Sequence, residues 1–182
     1  MNLQWDRIER RLRALGCLEQ MELRPGASAE SLDRLERHLG LELPVSLRSF
    51  LSIHDGQDGF ALLLGYQFLS TDGIRKHWDT WRSIDEPAMN EDCAEFMQAE
   101  PEGFAKPVYT NRLWIPLTWD YGGNHMGLDF DPDRLGRAGQ VITFGRDEDT
   151  KHLLADDFDG FVERCIAWLE GATWDGQHLE HA

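Results

Sequence analysis

The chain has 182 residues, 41% of them hydrophobic, including seven Trp, nine Phe and three Tyr. That is enough apolar material to bury a core, and it excludes a disordered chain. Eighteen Lys and Arg face 33 Asp and Glu, a formal charge of −15, which repels nucleic acid and anionic membranes and excludes direct binding to either.

No run approaches the roughly 20 apolar residues of a membrane helix, and the N-terminus lacks the apolar stretch of a secretory signal. Cys17, Cys93 and Cys165 are odd in number and far apart, so they suggest neither a disulfide framework nor a zinc knuckle. The expectation is a cytoplasmic protein with reduced thiols, one domain over residues 1–182. The charge is uneven. Residues 1–48 hold eight Arg and eight carboxylates, and the remainder carries all of the −15. Asp85 to Glu102 holds seven carboxylates and no Lys or Arg.

In chain order, Trp5, Ile8, Leu12 and Leu15 recur at helical spacing and Gly16 ends the first helix. Ser28 caps a second helix with Leu32, Leu35 and Leu39 on one face, stopped by Gly40. Pro44 opens a third, whose inner face holds Leu47, Phe50, Leu51 and His54. "FALLLGYQFLS" (60–70) predicts a strand with a bend at Gly65. Ser70 or Thr71 then caps a helix bearing Ile74, His77, Trp78 and Trp81, and Asn90 caps a short one with Met89, Cys93, Phe96 and Met97. From Leu113 the period changes to two: "LWIPLTW", "HMGLDF" and "QVITFG" alternate, with Gly122-Gly123 as the turn between the first two. "KHLLA" adds a strand, and a helix from Asp156 or Asp157 presents Phe158, Phe161, Val162, Cys165, Ile166 and Leu169 before Gly171. This order predicts an α+β fold, an antiparallel sheet of about four to six strands covered by helices. Its core includes Leu35, Leu39, Leu47, Phe50, Trp114, Leu128, Phe130, Val141, Phe158 and Phe161.

The polar stretch "WDYGGNHMGLDF" (119–130), followed by Asp131, is where chemistry would be sought. Asp129, Asp131 and Asp133 have DxDxD spacing, but the sixth and twelfth positions of a calcium loop would be Arg134 and Gln140 instead of Gly and Glu. No metal is expected, and no cofactor. Asp129 is read as facing outward, opposite Leu128 and Phe130. His125 beside Asp120 has the makings of an oriented base, yet no Ser or Cys lies nearby in sequence to be activated. A hydrolase is therefore the least favoured reading, and a hairpin shoulder with solvated polar groups the preferred one.

The chain resembles the SMI1/KNR4 family of the SUKH superfamily over residues 28–169. The carriers are "SLDRLERHLGLELPVSLRSFLSIHDG" (31–56), "LWIPLTWDYGGNHMGLDFDP" (113–132), "GQVITFG" (139–145) and "LLADDFDGFVERCIAWL" (153–169). It departs from a minimal family domain by an acidic insertion at about residues 85–107. The resemblance implies a SUKH-like fold and a protein that binds without catalysing. Many bacterial members look like immunity proteins; fungal members are cell-wall regulators with long tails that this sequence lacks. The expectation is thus an immunity protein that neutralises a cognate toxin enzyme in interbacterial competition, the alternative being an intracellular regulatory adaptor. The acidic surface suggests a basic toxin, such as a nuclease, as partner. Expected contacts are Asp55, Asp58, Glu91, Asp92 and Glu95, with Asp120, Tyr121, Asn124 and His125 at the hairpin and Trp81 as an aromatic anchor.

Overall fold

The computed structural model describes residues 3–59 and 62–181. In chain order the elements are α1 (Leu3–Leu15), a 3₁₀ turn (Glu19–Met21), α2 (Ala29–Leu39), α3 (Val45–Leu51), β1 (Gln67–Phe68), α4 (Thr71–Arg82), α5 (Glu86–Cys93), β2 (Gln98–Glu100), β3 (Trp114–Pro116), β4 (Thr118–Trp119), β5 (Asn124–Asp129), β6 (Gln140–Gly145), β7 (Thr150–Ala155), α6 (Phe158–Gly171), β8 (Ala172–Trp174) and β9 (Leu179–His181). The fold is α+β. The chain divides into two compact units, Met1–Asp72 with Val162–Ala182, and Gly73–Phe161.

In the first unit α1 buries Trp5, Ile8 and Leu12. The Trp5 ring stacks on Phe50 at 4.3 Å, and its indole N–H donates to the Phe50 carbonyl at 3.0 Å. α2 begins where Ser28 Oγ accepts from Ser31 N at 3.1 Å and ends on Gly40 in the left-handed region. α3 stops at Leu51, so His54 lies beyond the helix expected to carry it. There His54 Nδ1 is 2.9 Å from the Arg24 carbonyl and Nε2 is 3.0 Å from Glu9. Gly26 is required by packing: a Cβ there would meet the Ser52 carbonyl at 1.9 Å. Phe60 and Ala61, the start of the strand expected over 60–70, lie outside the described residues. The rest is a turn at Leu64-Gly65 followed by the two-residue β1. Arg11 caps the C-terminus of α6, donating to the Leu169 and Ala172 carbonyls. The β8–β9 hairpin after α6 was not anticipated.

The second unit is built on a five-stranded sheet in the order β2-β7-β6-β5-β3. β3, β5, β6 and β7 are antiparallel neighbours, as the alternating segments require. β2, from the acidic segment, joins the edge in parallel with β7, so the sheet is mixed. Pro116 pairs with Gly127. A Cβ at 127 would sit 2.2 Å from the Ile115 carbonyl, so the β3–β5 approach depends on that glycine. Trp114, Ile142 and Phe144 pack with Ala105 on one side of the sheet. Of the expected core residues all are buried except Phe130, which is half-buried.

Asp129 does not face outward. It is fully buried, accepting from Trp114 Nε1 at 3.1 Å and Asp131 N at 2.9 Å on one oxygen, and from Gln140 Nε2 at 2.9 Å on the other. The cause is that β5 is buried at all six positions. A strand covered on both faces carries no outward polar row, so alternation misreports exposure there. α5 also differs from expectation: Asp85 caps it, while the Asn90 side chain clamps the backbone of Thr110.

Candidate functional site

Asp120 leaves β4 and folds the next four residues around its own carboxylate. Oδ1 accepts from the backbone N–H groups of Gly122, Gly123 and Asn124 at 2.7–2.9 Å, and Oδ2 from Asn124 Nδ2 at 2.7 Å. Asn124 passes the restraint on, its Oδ1 accepting from Asp147 N at 2.8 Å. Burial opposes the charge on Asp120, but these amide donors outweigh it and hold the carboxyl below the usual range. The turn forces Tyr121 to φ 67° and leaves it 57% exposed, with its ring 4.5 Å from that of Trp119. The polar groups of this stretch are therefore the frame of a rigid turn, and what it presents is an aromatic side chain.

Behind the turn lies an aromatic cluster. The His77 ring is 5.0 Å from Trp119 and 5.1 Å from His125, and Trp81 is 6.2 Å from His125 and 5.9 Å from Tyr109. His125 is 1% exposed, and its Nδ1 donates to the Thr118 carbonyl at 2.5 Å. Burial pushes its pKa down to about 4 against the pull of that carbonyl, and burial also lowers His77. The Thr118 hydroxyl is engaged with Met126, and among the described residues no hydroxyl is hydrogen-bonded to His125. The DxDxD carboxylates also have protein donors: Asp131 takes Lys106 Nζ at 2.6 Å and Asn111 Nδ2 at 2.8 Å.

The expected contact residues fall into distinct settings. Asp58, Glu91, Asp92, Glu95 and Tyr121 are exposed. Trp81 is half-buried. Asn124 and His125 are interior. Asp55 is a structural residue, its two oxygens accepting from Thr71 N at 2.6 Å and Thr71 Oγ1 at 3.0 Å at the start of α4. It anchors the first residue of that helix. Four expected contacts thus belong to the framework, Asp120 included. For Asp55, Asp120 and Asn124 the reason is shared, since a carboxylate or amide next to a turn meets unsatisfied backbone N–H groups before it meets solvent, whereas His125 is held in the aromatic cluster.

Sequence reasoning missed a cleft of about 310 Å³ beside the cluster, between the end of α4, the start of α5 and residues 110–114. Trp78, Trp81 and Trp114 line it, with Arg82 and Arg112 among its walls. Its signal was present in part, as the Trp78/Trp81 stripe, but the third tryptophan comes from a different element.

The chain belongs to the SMI1/KNR4 family (SUKH-1), whose model matches residues 26–164. It is similar to the cell wall biosynthesis/cell cycle regulator smi1 of Schizosaccharomyces pombe, 32% identical over 161 residues, covering 82% of this chain and 32% of that protein. It is similar also to a glucan synthesis regulatory protein of Neurospora crassa, 28% identical over 84% of this chain and 35% of that one. The cell wall assembly regulator SMI1 of Saccharomyces cerevisiae is 26% identical over 76% of this chain and 34% of its own length. The chain spans about a third of the length of the curated relatives it matches.

These relatives are named as regulators, not as enzymes. They overturn the expectation of a bacterial immunity protein and, with it, the cognate basic toxin or nuclease as partner. The motifs behind the resemblance build helices and a hairpin, which specify the scaffold and not the client. A net charge of −15 keeps any such scaffold dissolved and identifies no partner. Among the described residues no helix is long and apolar enough to cross a membrane.

Proposed function

We propose that this chain is a regulatory adaptor domain of the cytoplasm that acts by binding protein components of a cell-wall synthesis pathway, with no chemistry of its own. One observation carries the reading. The carboxylate and amide of the 119–125 stretch are bonded into the turn and its histidine is buried, while Tyr121 is held out to solvent. A fixed, exposed aromatic supplies contact area at low conformational cost, which suits recognition. Glu91, Asp92 and Glu95 provide an exposed acidic flank on the same unit. The names of the fungal regulators support the pathway assignment.

The test is genetic. Cells lacking the gene should become sensitive to wall-binding dyes and be restored by the wild-type chain, but not by Tyr121→Ala. A folded His125→Gln chain should restore them as well as wild type does. Equal rescue by Tyr121→Ala, or turnover of a substrate that fails only in His125→Gln, would contradict the proposal.

A further inference from the structure

We propose that His77 and His125 form an acid-sensitive latch that holds α4 on the sheet of the second unit and releases it when the pair takes up protons.

Two imidazoles reach each other here from different elements. His77 lies on α4 and His125 at the second position of β5, and their rings meet edge to face at 5.1 Å. Trp81, one turn on from His77, packs edge-on against His125 at 6.2 Å and against Phe144 of β6 at 6.4 Å. The stretch of α4 from His77 to Trp81 therefore rests on β5 and β6 through these rings. As neutral rings they pack like any other aromatic contact. The bond from His125 Nδ1 to the Thr118 carbonyl is made by the neutral ring as well as by the charged one. Among the described residues no carboxylate is hydrogen-bonded to either histidine.

Protons change that balance. Two titratable groups act on His125: His77 from α4 opposes its charge, and Asp120 from the turn after β4 favours it. The Asp120 oxygens, however, are already taken by four N–H donors of the turn. The other rings packed on the pair, Trp81, Trp119 and Phe144, are uncharged. Burial dominates, holding His125 down at about 4 and His77 below its usual range, so both are neutral at pH 7. Protonating one puts a charge among apolar rings, and protonating both sets like charges against each other. Separation of α4 from β5 relieves both. The Trp78 indole N–H, on the Arg112 carbonyl at 3.1 Å, is an anchor of α4 that does not titrate. His77 also backs Trp119 at 5.0 Å, and Trp119 backs Tyr121 at 4.5 Å. Release of α4 thus removes the support of the exposed tyrosine ring while the Asp120 bonds keep the turn's backbone. That last consequence rests on the protein-binding reading above; the latch itself does not.

Once opened, His125 takes up its proton near 6.5, whereas the closed chain holds out to about 4, so closure weakens as pH falls through that window and not above it. From His125 alone, opening should become about 25-fold more favourable between pH 7.5 and pH 5. The test is backbone amide exchange of the full chain at those two pH values, corrected for intrinsic exchange, in wild type, His125→Gln and His77→Phe. Gln keeps a donor for the Thr118 carbonyl, and Phe keeps a ring against Trp119. In wild type the amides from His77 to Arg82 should show the 25-fold rise. The rise should vanish in His125→Gln and shrink in His77→Phe, with Gly122–Asn124 slow throughout. If His125→Gln does not fold, wild type and His77→Phe carry the comparison. No rise in wild type, an equal rise in the variants, or a matching rise at Gly122–Asn124 would overturn the latch. The assay contains no partner, so failure of the latch leaves the Tyr121 reading standing, and failure of Tyr121-dependent rescue leaves the latch standing.

Discussion

Lys151→Met should stabilise the protein. Lys151 is fully buried on β7, its Nζ donating to the Glu148 carbonyl, 3.6 Å from Met97 Sδ and 5.9 Å from the centre of the Trp114 ring. Burial pushes its pKa down from 10.5 to about 8. A difference of that size corresponds to about 3 kcal/mol of unfavourable free energy for holding the ammonium in the interior at pH 7. Methionine removes that cost and has nearly the same shape. Against the gain stand the lost bond to the Glu148 carbonyl, about 1 kcal/mol, and the lost contact with the Trp114 face, about 0.5 kcal/mol or more. The net expectation is about 1–2 kcal/mol of added stability, or roughly 2–8 °C in Tm for a chain of this size. The sign of the pH dependence follows. Between about pH 8 and 10.5 the unfolded chain binds a proton at Lys151 that the folded chain has lost, so wild-type stability rises with pH in that window relative to the variant. The assay is thermal unfolding of both proteins from pH 7 to 10, read as a difference so that the titration of cysteines and tyrosines cancels. The Tm advantage of Lys151→Met should shrink as pH rises. A variant less stable than wild type at pH 7, or a pH-independent difference, would show that the buried ammonium carries no such cost.

Gly127→Ala should lower stability by more than about 2 kcal/mol, because the added methyl meets the Ile115 carbonyl at 2.2 Å and backbone must move; circular-dichroism melts report it. Asp120→Ala removes the acceptor of three backbone N–H groups and one side-chain amide. Faster amide exchange at Gly122–Asn124 is expected, and unchanged exchange would contradict the clamp. Because those donors depress the Asp120 pKa, its contribution is present above its unfolded value of 3.8 and is lost as pH falls through the lower folded value. The turn in the wild-type chain should therefore keep its slow exchange down to about pH 4 and lose it only below. Asp129→Asn places an amide N–H among three donors and should cost about 1–3 kcal/mol.

How far the fold is legible depends on where each residue's partners come from. α1, α2 and α6 are readable because one apolar face at a period of 3.6 fixes both the element and its buried side, and Ser28 and Gly40 mark the ends of α2. The β3–β5–β6 core is readable from its alternation. The burial of Asp129 is not, because it depends on Trp114 and Gln140 from the neighbouring strands. Gln57 is invisible for the same reason: its buried amide joins Met21, Leu62 and Phe68, and a lone glutamine has no local signature. The β8–β9 hairpin had a signal in Asp175-Gly176, where Asp175 accepts from Gln177 N and His178 N. At the candidate site, the Gly122-Gly123 turn is local and legible. The interior position of His125 is set by His77 and Trp81 on α4, and only the folded chain brings those together. Partner identity is the least legible part, since exposed positions such as Tyr121 and Glu91 are not fixed by the packing that defines the family.

Binding through the Tyr121 turn is tested most directly by placing a photoreactive amino acid at position 121, irradiating living cells of the source organism and identifying the captured protein by mass spectrometry. One dominant adduct is expected, a component of the cell-wall synthesis pathway, that is lost when Asp120→Ala releases the turn. No adduct above the level of a photoreactive group placed at the exposed Leu135 would contradict it, as would an adduct unrelated to the wall or one insensitive to Asp120→Ala.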